Sequence, residues 1–214
     1  MFICNNFNFE HGEDGIILVG FSRGAFTVRC AASLIAQVGL LKKSGLVHLY
    51  KLYNMWSSQN IDNRPIANLG LALTLVYKLP PTLKPLEQQI KQLEAAQCLT
   101  RQIRIKACAV WDTVSALGLL HVMAKMTIFK SPKSLTFVLT HIPECVQFAF
   151  HALALDESRR DFIPVPWILH ASQTELRQCW FLGAQSDVGG GDEDGGMSYR
   201  FLMDDLTAHI NYKC

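Results

Sequence analysis

Charge is scarce in this sequence: 18% of its 214 residues are Asp, Glu, Lys or Arg, and the formal balance is +2. The basic residues are scattered rather than clustered, so the electrostatic footprint of a nucleic-acid binder is missing and no such partner is expected. Long apolar runs are missing too. The most apolar stretches, LGLALTLVY and ACAVWDTVSALGLLHVM, are too short or carry an aspartate, which suits a buried core rather than a bilayer span. The opening MFICNNFNFEHGEDG has no basic segment leading into an apolar one, so a secretory signal is not expected and a cytoplasmic location is. There is no C-x-x-C: the seven cysteines are dispersed and odd in number, as for reduced thiols rather than a disulfide framework or a zinc site. G-x-G-x-x-G and a P-loop lysine are absent, and DVGGGDEDGG lacks the spacing of an EF-hand loop, so neither metal nor cofactor is expected.

What the sequence does have is hydrophobic content, at half its residues, and enough length for one sizeable core. A single domain over 1–214 is the economical reading. Residues 16–19, IILV, form a short continuous apolar run of the kind that fills a parallel strand covered on both faces. A glycine-bracketed turn follows, and then Phe26, Cys30, Leu34 and Val38 recur at helical spacing, with Gly39 as the stop. The pattern loosens between about 40 and 85, where turn and breaker residues suggest an insertion over the sheet edge. Leu86, Ile90 and Leu93 share one face of a further helix. IRIKACAVWDTV reads as a second strand with Asp112 just past its end, and PECVQFAFHALALDE as another helix, with Pro143 in its first turn. RQCWFL, at 177–182, is a third strand emptying into a glycine-rich loop, after which MSYRFLMDDLTAHI resumes helical spacing. Strands alternating with helices predict an α/β fold with a mainly parallel sheet flanked by helices.

Gly20-Phe21-Ser22-Arg23-Gly24 fits G-x-S-x-G, the nucleophile elbow, in which small residues two positions to either side let a serine sit on a sharp strand-to-helix turn. A serine hydroxyl needs a base to take its proton, and the base needs an acid to orient it. Asp112 occupies the acid's place after the second strand; the alternative is that it caps a helix entered at TVSALG. After the third strand, where a histidine is wanted, stands Gln185, whose amide can hydrogen-bond but cannot deprotonate. His151 is the strongest substitute base by position, although a histidine flanked by Phe148, Phe150 and Leu155 on a helix face also reads as structural; His209 is weaker, and His11, His48, His121, His141 and His170 have no motif around them. Arg29, Arg159 and Arg160 are placed to meet anionic lipid headgroups or to form ordinary surface ion pairs.

Four blocks, GFSRGAFTVRCAASLIAQVGLL, AVWDTVSALG, HALALDESRRDFIPVPW and CWFLGAQSDVGGG, resemble in order the signature blocks of the α/β-hydrolase family that includes the type VI secretion phospholipase effectors of the first class, found in fungi and bacteria. The resemblance implies a serine esterase or phospholipase acting on a lipid or other ester, with peripheral membrane contact as a corollary. It implies Ser22 as nucleophile, Asp112 as acid and the Arg23 backbone N–H as an oxyanion donor, with Phe21, Asp187 and Gly189 lining the site. The family's last block reads H-x-D-V-G-G-G, so Gln185 replaces its histidine and turnover is expected to be impaired; the alternative is a pseudohydrolase that binds lipid or protein without turnover. Family members carry an opening strand with an Asp-Gly-Thr-like block well before the elbow, whereas about twenty residues precede Ser22 here, which implies a fold shortened at its N-terminus and lacking one oxyanion donor.

Overall fold

The apolar run before the elbow folds as expected, though at the margin of the sheet. In the computed structural model, which describes residues 1–9, 14–59, 85–114, 141–159, 162–168, 174–190, 204 and 207–208, a short helix α1 (Phe2–Asn6) precedes strand β1 (Ile16–Phe21). β1 buries Ile16 and Leu18 but leaves Ile17, Val19 and Phe21 37%, 51% and 42% exposed, so it is covered on one face and not on both. The reason is its place at the edge of a four-stranded parallel sheet, in which it is followed in order by β4 (Ile105–Trp111), β5 (Val146–Ala154) and β6 (Glu175–Phe181). Helix α2 (Arg23–Val38) returns across the buried face. It ends at Gly39, whose φ of 97° and whose contact with the Thr100 carbonyl, 2.6 Å from where a Cβ would stand, exclude other residues.

The stretch expected to be a loose insertion is partly ordered. After α2 come strand β2 (Leu40–Leu41), a 3-10 helix (Lys43–His48) and α3 (Leu49–Gln59). α3 packs on α2 and on α4 (Pro85–Ala95), and α4 buries Leu86, Ile90 and Leu93 as its spacing predicts. Trp56 is fully enclosed among them and its indole N–H donates to Gln37 Oε1 at 3.0 Å, which satisfies the one polar atom that its burial would strand. β3 (Leu99–Thr100) pairs antiparallel with β2, apart from the main sheet. The rest of the insertion, 60–84, lies outside the described residues.

β4 (Ile105–Trp111) and β5 (Val146–Ala154) occupy the centre of the sheet, and β6 (Glu175–Phe181) its far edge. β5 corrects the sequence expectation of a helix over 143–157. Its VQFAFHALA is covered on both faces from Ala149 to Ala154, so it shows no alternation of apolar and polar residues, and its run of alanine, phenylalanine and leucine suits either structure until pairing with β4 and β6 decides. Successive side chains still point to opposite faces. Ala149 and Cys108 join the core under α2, while Phe150, Ala152 and Ala154 join Ala107, Ala109 and Trp111 on the other face, against Val188 of the four-residue helix α5 (Gln185–Val188). The helices expected after Asp112 and over 197–210 fall largely outside the described residues. No helix among the described residues is long and apolar enough to cross a membrane.

Candidate active site

β1 delivers Ser22 to the carboxyl rim of the sheet. The residue has φ 55° and ψ −119°, a region that non-glycine residues occupy at a cost of about 1–3 kcal/mol and one that clusters at functional sites. Its backbone N–H donates to the Trp111 carbonyl at 2.9 Å and its own carbonyl accepts from Phe26 at 3.3 Å, so β4 and the first turn of α2 hold the bend from both sides. Gly20 is required, since a Cβ there would stand 2.7 Å from the Gly24 carbonyl oxygen. Gly24 is not: nothing described lies within 4 Å of its would-be Cβ, so the expected need for a small residue on both sides holds on one. Ser22 is half-buried. Arg23 is the first residue of α2, where a backbone N–H has no partner within the helix.

Asp112 follows β4 and is fully buried. Its N–H donates to the Ala152 carbonyl at 2.7 Å and its Oδ1 accepts the Ala154 N–H at 3.0 Å, so that oxygen engages the neighbouring strand. Oδ2 is enclosed without a partner among the described residues. Burial lifts the pKa of this carboxyl to about 6, the Ala154 bond opposing; nearby Glu157 raises it and Arg159 lowers it.

Gln185 begins α5 and is 7% exposed. Its side-chain Nε2 donates to Ser22 Oγ at 2.5 Å, which brings together residues 163 positions apart, while its Oε1 is enclosed without a partner among the described residues. The loop that carries it is shaped locally: Gly183 has φ 101°, and Asp187 Oδ2 accepts the Ala184 N–H at 2.7 Å. Gly189 is backed by the Phe21 ring, which would lie 2.5 Å from a Cβ there. Asp187 therefore shapes the loop, and Phe21 and Gly189 close it against the elbow.

His151 stands in the middle of β5 rather than on a helix, and it is fully buried on the α2 side of the sheet. The Trp167 N–H donates to Gln178 Oε1 at 2.8 Å, and that same oxygen lies 2.9 Å from His151 Nδ1, which assigns the ring proton to Nδ1. Nε2 is then the acceptor, facing the Thr113 N–H at 3.4 Å and the Thr113 hydroxyl at 3.3 Å, while Arg29 Nη2 sits beside both ring nitrogens, 3.1 Å from Nδ1 and 3.4 Å from Nε2. Burial above all, with the Arg29 charge second, pushes the imidazole down to about 3. Its lone pair is occupied, and no contact with Ser22 is described. Arg29 corrects another expectation: it is 2% exposed and stacks 4.1 Å from the Trp167 ring centroid, so it is an interior group and not one that meets lipid headgroups. Arg159 is exposed and paired with Glu157; Arg160 and His209 lie outside the described residues. Glu157, which binds the Gln185 N–H, escaped the sequence reading because the segment before it was read as helix; as a strand, it would have put Asp156 and Glu157 at a carboxyl end, like Asp112. No cluster of metal-ligating side chains occurs among the described residues.

A parallel sheet whose first strand ends in a strained serine, followed by a helix, with a buried aspartate after the next strand, defines an α/β-hydrolase-like protein. The chain belongs to the family of T6SS phospholipase effector Tle1-like catalytic domains, whose model matches residues 1–209. It is also 28% identical over 166 residues to the uncharacterized protein YEL023C of Saccharomyces cerevisiae, a match covering 75% of this chain and 20% of that protein. The chain thus spans about a fifth of the length of that relative. No solved structure is a significant match.

Proposed function

We propose that this chain is a phospholipase-type serine hydrolase domain, acting on a lipid ester through an acyl-enzyme on Ser22, with turnover impaired by Gln185. In that reaction Oγ attacks the ester carbonyl, its proton passes to a base, and the Arg23 N–H faces the developing oxyanion. Asp112 would orient the base. Gln185 supplies none, because an amide has no basic lone pair near neutral pH, and loss of a triad base costs on the order of a millionfold in turnover. The observation that supports the reading is the Gln185–Ser22 hydrogen bond, since a histidine side chain at position 185 would be within reach of the serine proton. A cytoplasmic site of action and peripheral contact with a lipid surface belong to the same proposal.

Gln185→His is expected to raise hydrolysis of a short-chain ester by about a hundredfold or more, the ordinary worth of a general base, and Ser22→Ala to abolish the gain. Unchanged hydrolysis by folded Gln185→His protein would remove the assignment. The rival reading, a pseudohydrolase that binds lipid or protein without turnover, is favoured by the enclosure of His151, whose Nε2 is engaged by Thr113. A fluorophosphonate probe tests the premise that the two readings share, that Ser22 lacks a working base: slow labelling of Ser22 in the native chain, unaltered by His151→Phe, is expected, and fast labelling lost in His151→Phe would contradict both.

A further inference from the structure

The chain leaving β5 stays paired with the chain leaving β6. The Leu155 N–H donates to the Phe181 carbonyl at 2.9 Å and the Asp156 N–H to the Gly183 carbonyl at 3.1 Å. The next three N–H groups of the β6 exit each find a carboxylate: Gly183 gives to Asp156 Oδ2 at 2.7 Å, Ala184 to Asp187 Oδ2 at 2.7 Å and Gln185 to Glu157 Oε2 at 3.3 Å. Glu157 is itself anchored. Its side chain is 2% exposed, and Arg159 closes over it with its backbone N–H at 2.8 Å and Nε at 2.9 Å on Oε1, and Nη2 at 2.6 Å on Oε2. The guanidinium is fixed in turn 4.2 Å from the Phe162 ring centroid. A carboxylate held by a planar fork and a backbone N–H has little freedom to move. Those same bonds from Arg159 hold Glu157 at about 2, so it stays ionised throughout the neutral range.

We propose that Glu157 is a positioning residue for the candidate reaction: by fixing the backbone of residue 185 it aims the side chain there at Ser22 Oγ. This rests on the reading of the Ser22–Gln185 pair given above, and it adds a residue that never touches the ester. α5 has only four residues and holds its first residue through the carbonyl, which accepts the Gly189 N–H at 2.9 Å; the Gln185 N–H has no partner within the helix and is left to the neighbouring strand exit. The sequence places Glu157 three residues beyond β5, within reach of the rim but behind the reacting atoms.

Two measurements test it. In amide hydrogen exchange on the otherwise unaltered chain, Glu157→Ala is expected to speed exchange at Gln185 by about tenfold or more and Glu157→Gln by less, with the β4 amides unchanged. In a Gln185→His background, adding Glu157→Gln is expected to lower kcat by about tenfold or more at unchanged KM and a melting temperature within a few degrees, since misaim penalises the chemical step. It should also move the acid limb of the pH profile downward. Three groups face Asp112 there: Glu157, which raises its pKa, and Arg159 and the Ala154 N–H, which lower it. Removing the Glu157 charge takes away one raising influence, leaving burial opposed by the Ala154 bond and the Arg159 charge, so the pKa moves down. Unchanged exchange at Gln185, or equal kcat with and without Glu157, overturns the proposal. If Gln185→His shows no hydrolysis, the reaction reading fails on its own, and the exchange result still decides whether Glu157 holds residue 185.

Discussion

At Asp112 a carboxylate is fully enclosed with one oxygen on the Ala154 N–H and the other on nothing among the described residues. Its pKa of about 6, against an ordinary 3.8, means that the folded chain holds this proton more tightly than the unfolded one. The cost of ionising it is absent below pH 3.8 and complete above pH 6, where it is on the order of 3 kcal/mol. Asp112→Asn is therefore expected to raise the melting temperature at pH 7.5 and to change it little at pH 4, which thermal scans at the two pH values would check. A lower melting temperature at pH 7.5 would mean that the enclosed oxygen has a donor. His151 has the opposite sign: its pKa is depressed, so its contribution to stability is full above pH 6.5 and is lost as pH falls towards 3. The sequence shows both residues and their motif context, but not which of them is shut inside, because burial depends on chain that arrives from elsewhere.

At the scale of elements, the strand, turn and helix around Ser22 are legible because all three are written in consecutive residues: an apolar run, two glycines and a helical repeat ended by Gly39. The glycines of the elbow are not equivalent, and stability measurements should separate them. Gly20→Ala drives a methyl into the Gly24 carbonyl and is expected to cost about 1–3 kcal/mol. Gly24→Ala, in open space on the first turn of α2, is expected to stabilise by up to about 1 kcal/mol, alanine being the better helix former. Denaturant melts of the two variants would decide, and equal losses would contradict the geometry. β5 shows the limit of local reading. VQFAFHALA carries neither period cleanly, and its assignment as strand comes from hydrogen bonds with β4 and β6, which a window of nine residues does not contain.

Over the whole molecule, as far as the described residues go, the sheet is covered by α2 on one face and has β1 as an edge strand. Ile17, Val19 and Phe21 lie on one face of that edge strand and are exposed, and an apolar edge strand with no neighbouring strand among the described residues is a template for association. Concentration-dependent self-association is expected of the purified chain, and Val19→Lys, which puts a charge on the exposed face, should suppress it without lowering the melting temperature. Light scattering across a concentration series measures this; association unaffected by Val19→Lys would place the sticky surface elsewhere. The α/β class was legible at this scale from the alternation of strands and helices. The order β1-β4-β5-β6, with β2 and β3 set apart, was not, since short strands of similar composition do not state their neighbours.

The sequence by itself determined the α/β class, the elbow at Ser22 and the presence of an amide at position 185, because each is a matter of residue type at short spacing. Only the tertiary structure decided that Gln185 reaches Ser22, that Arg29 turns inward to His151 from 122 residues away, and that Glu157 accepts the Gln185 N–H. These are contacts between distant segments. They arise when the sheet stacks the strand ends at one rim, and no local pattern of hydrophobicity or turn residues encodes which side chains will then face each other.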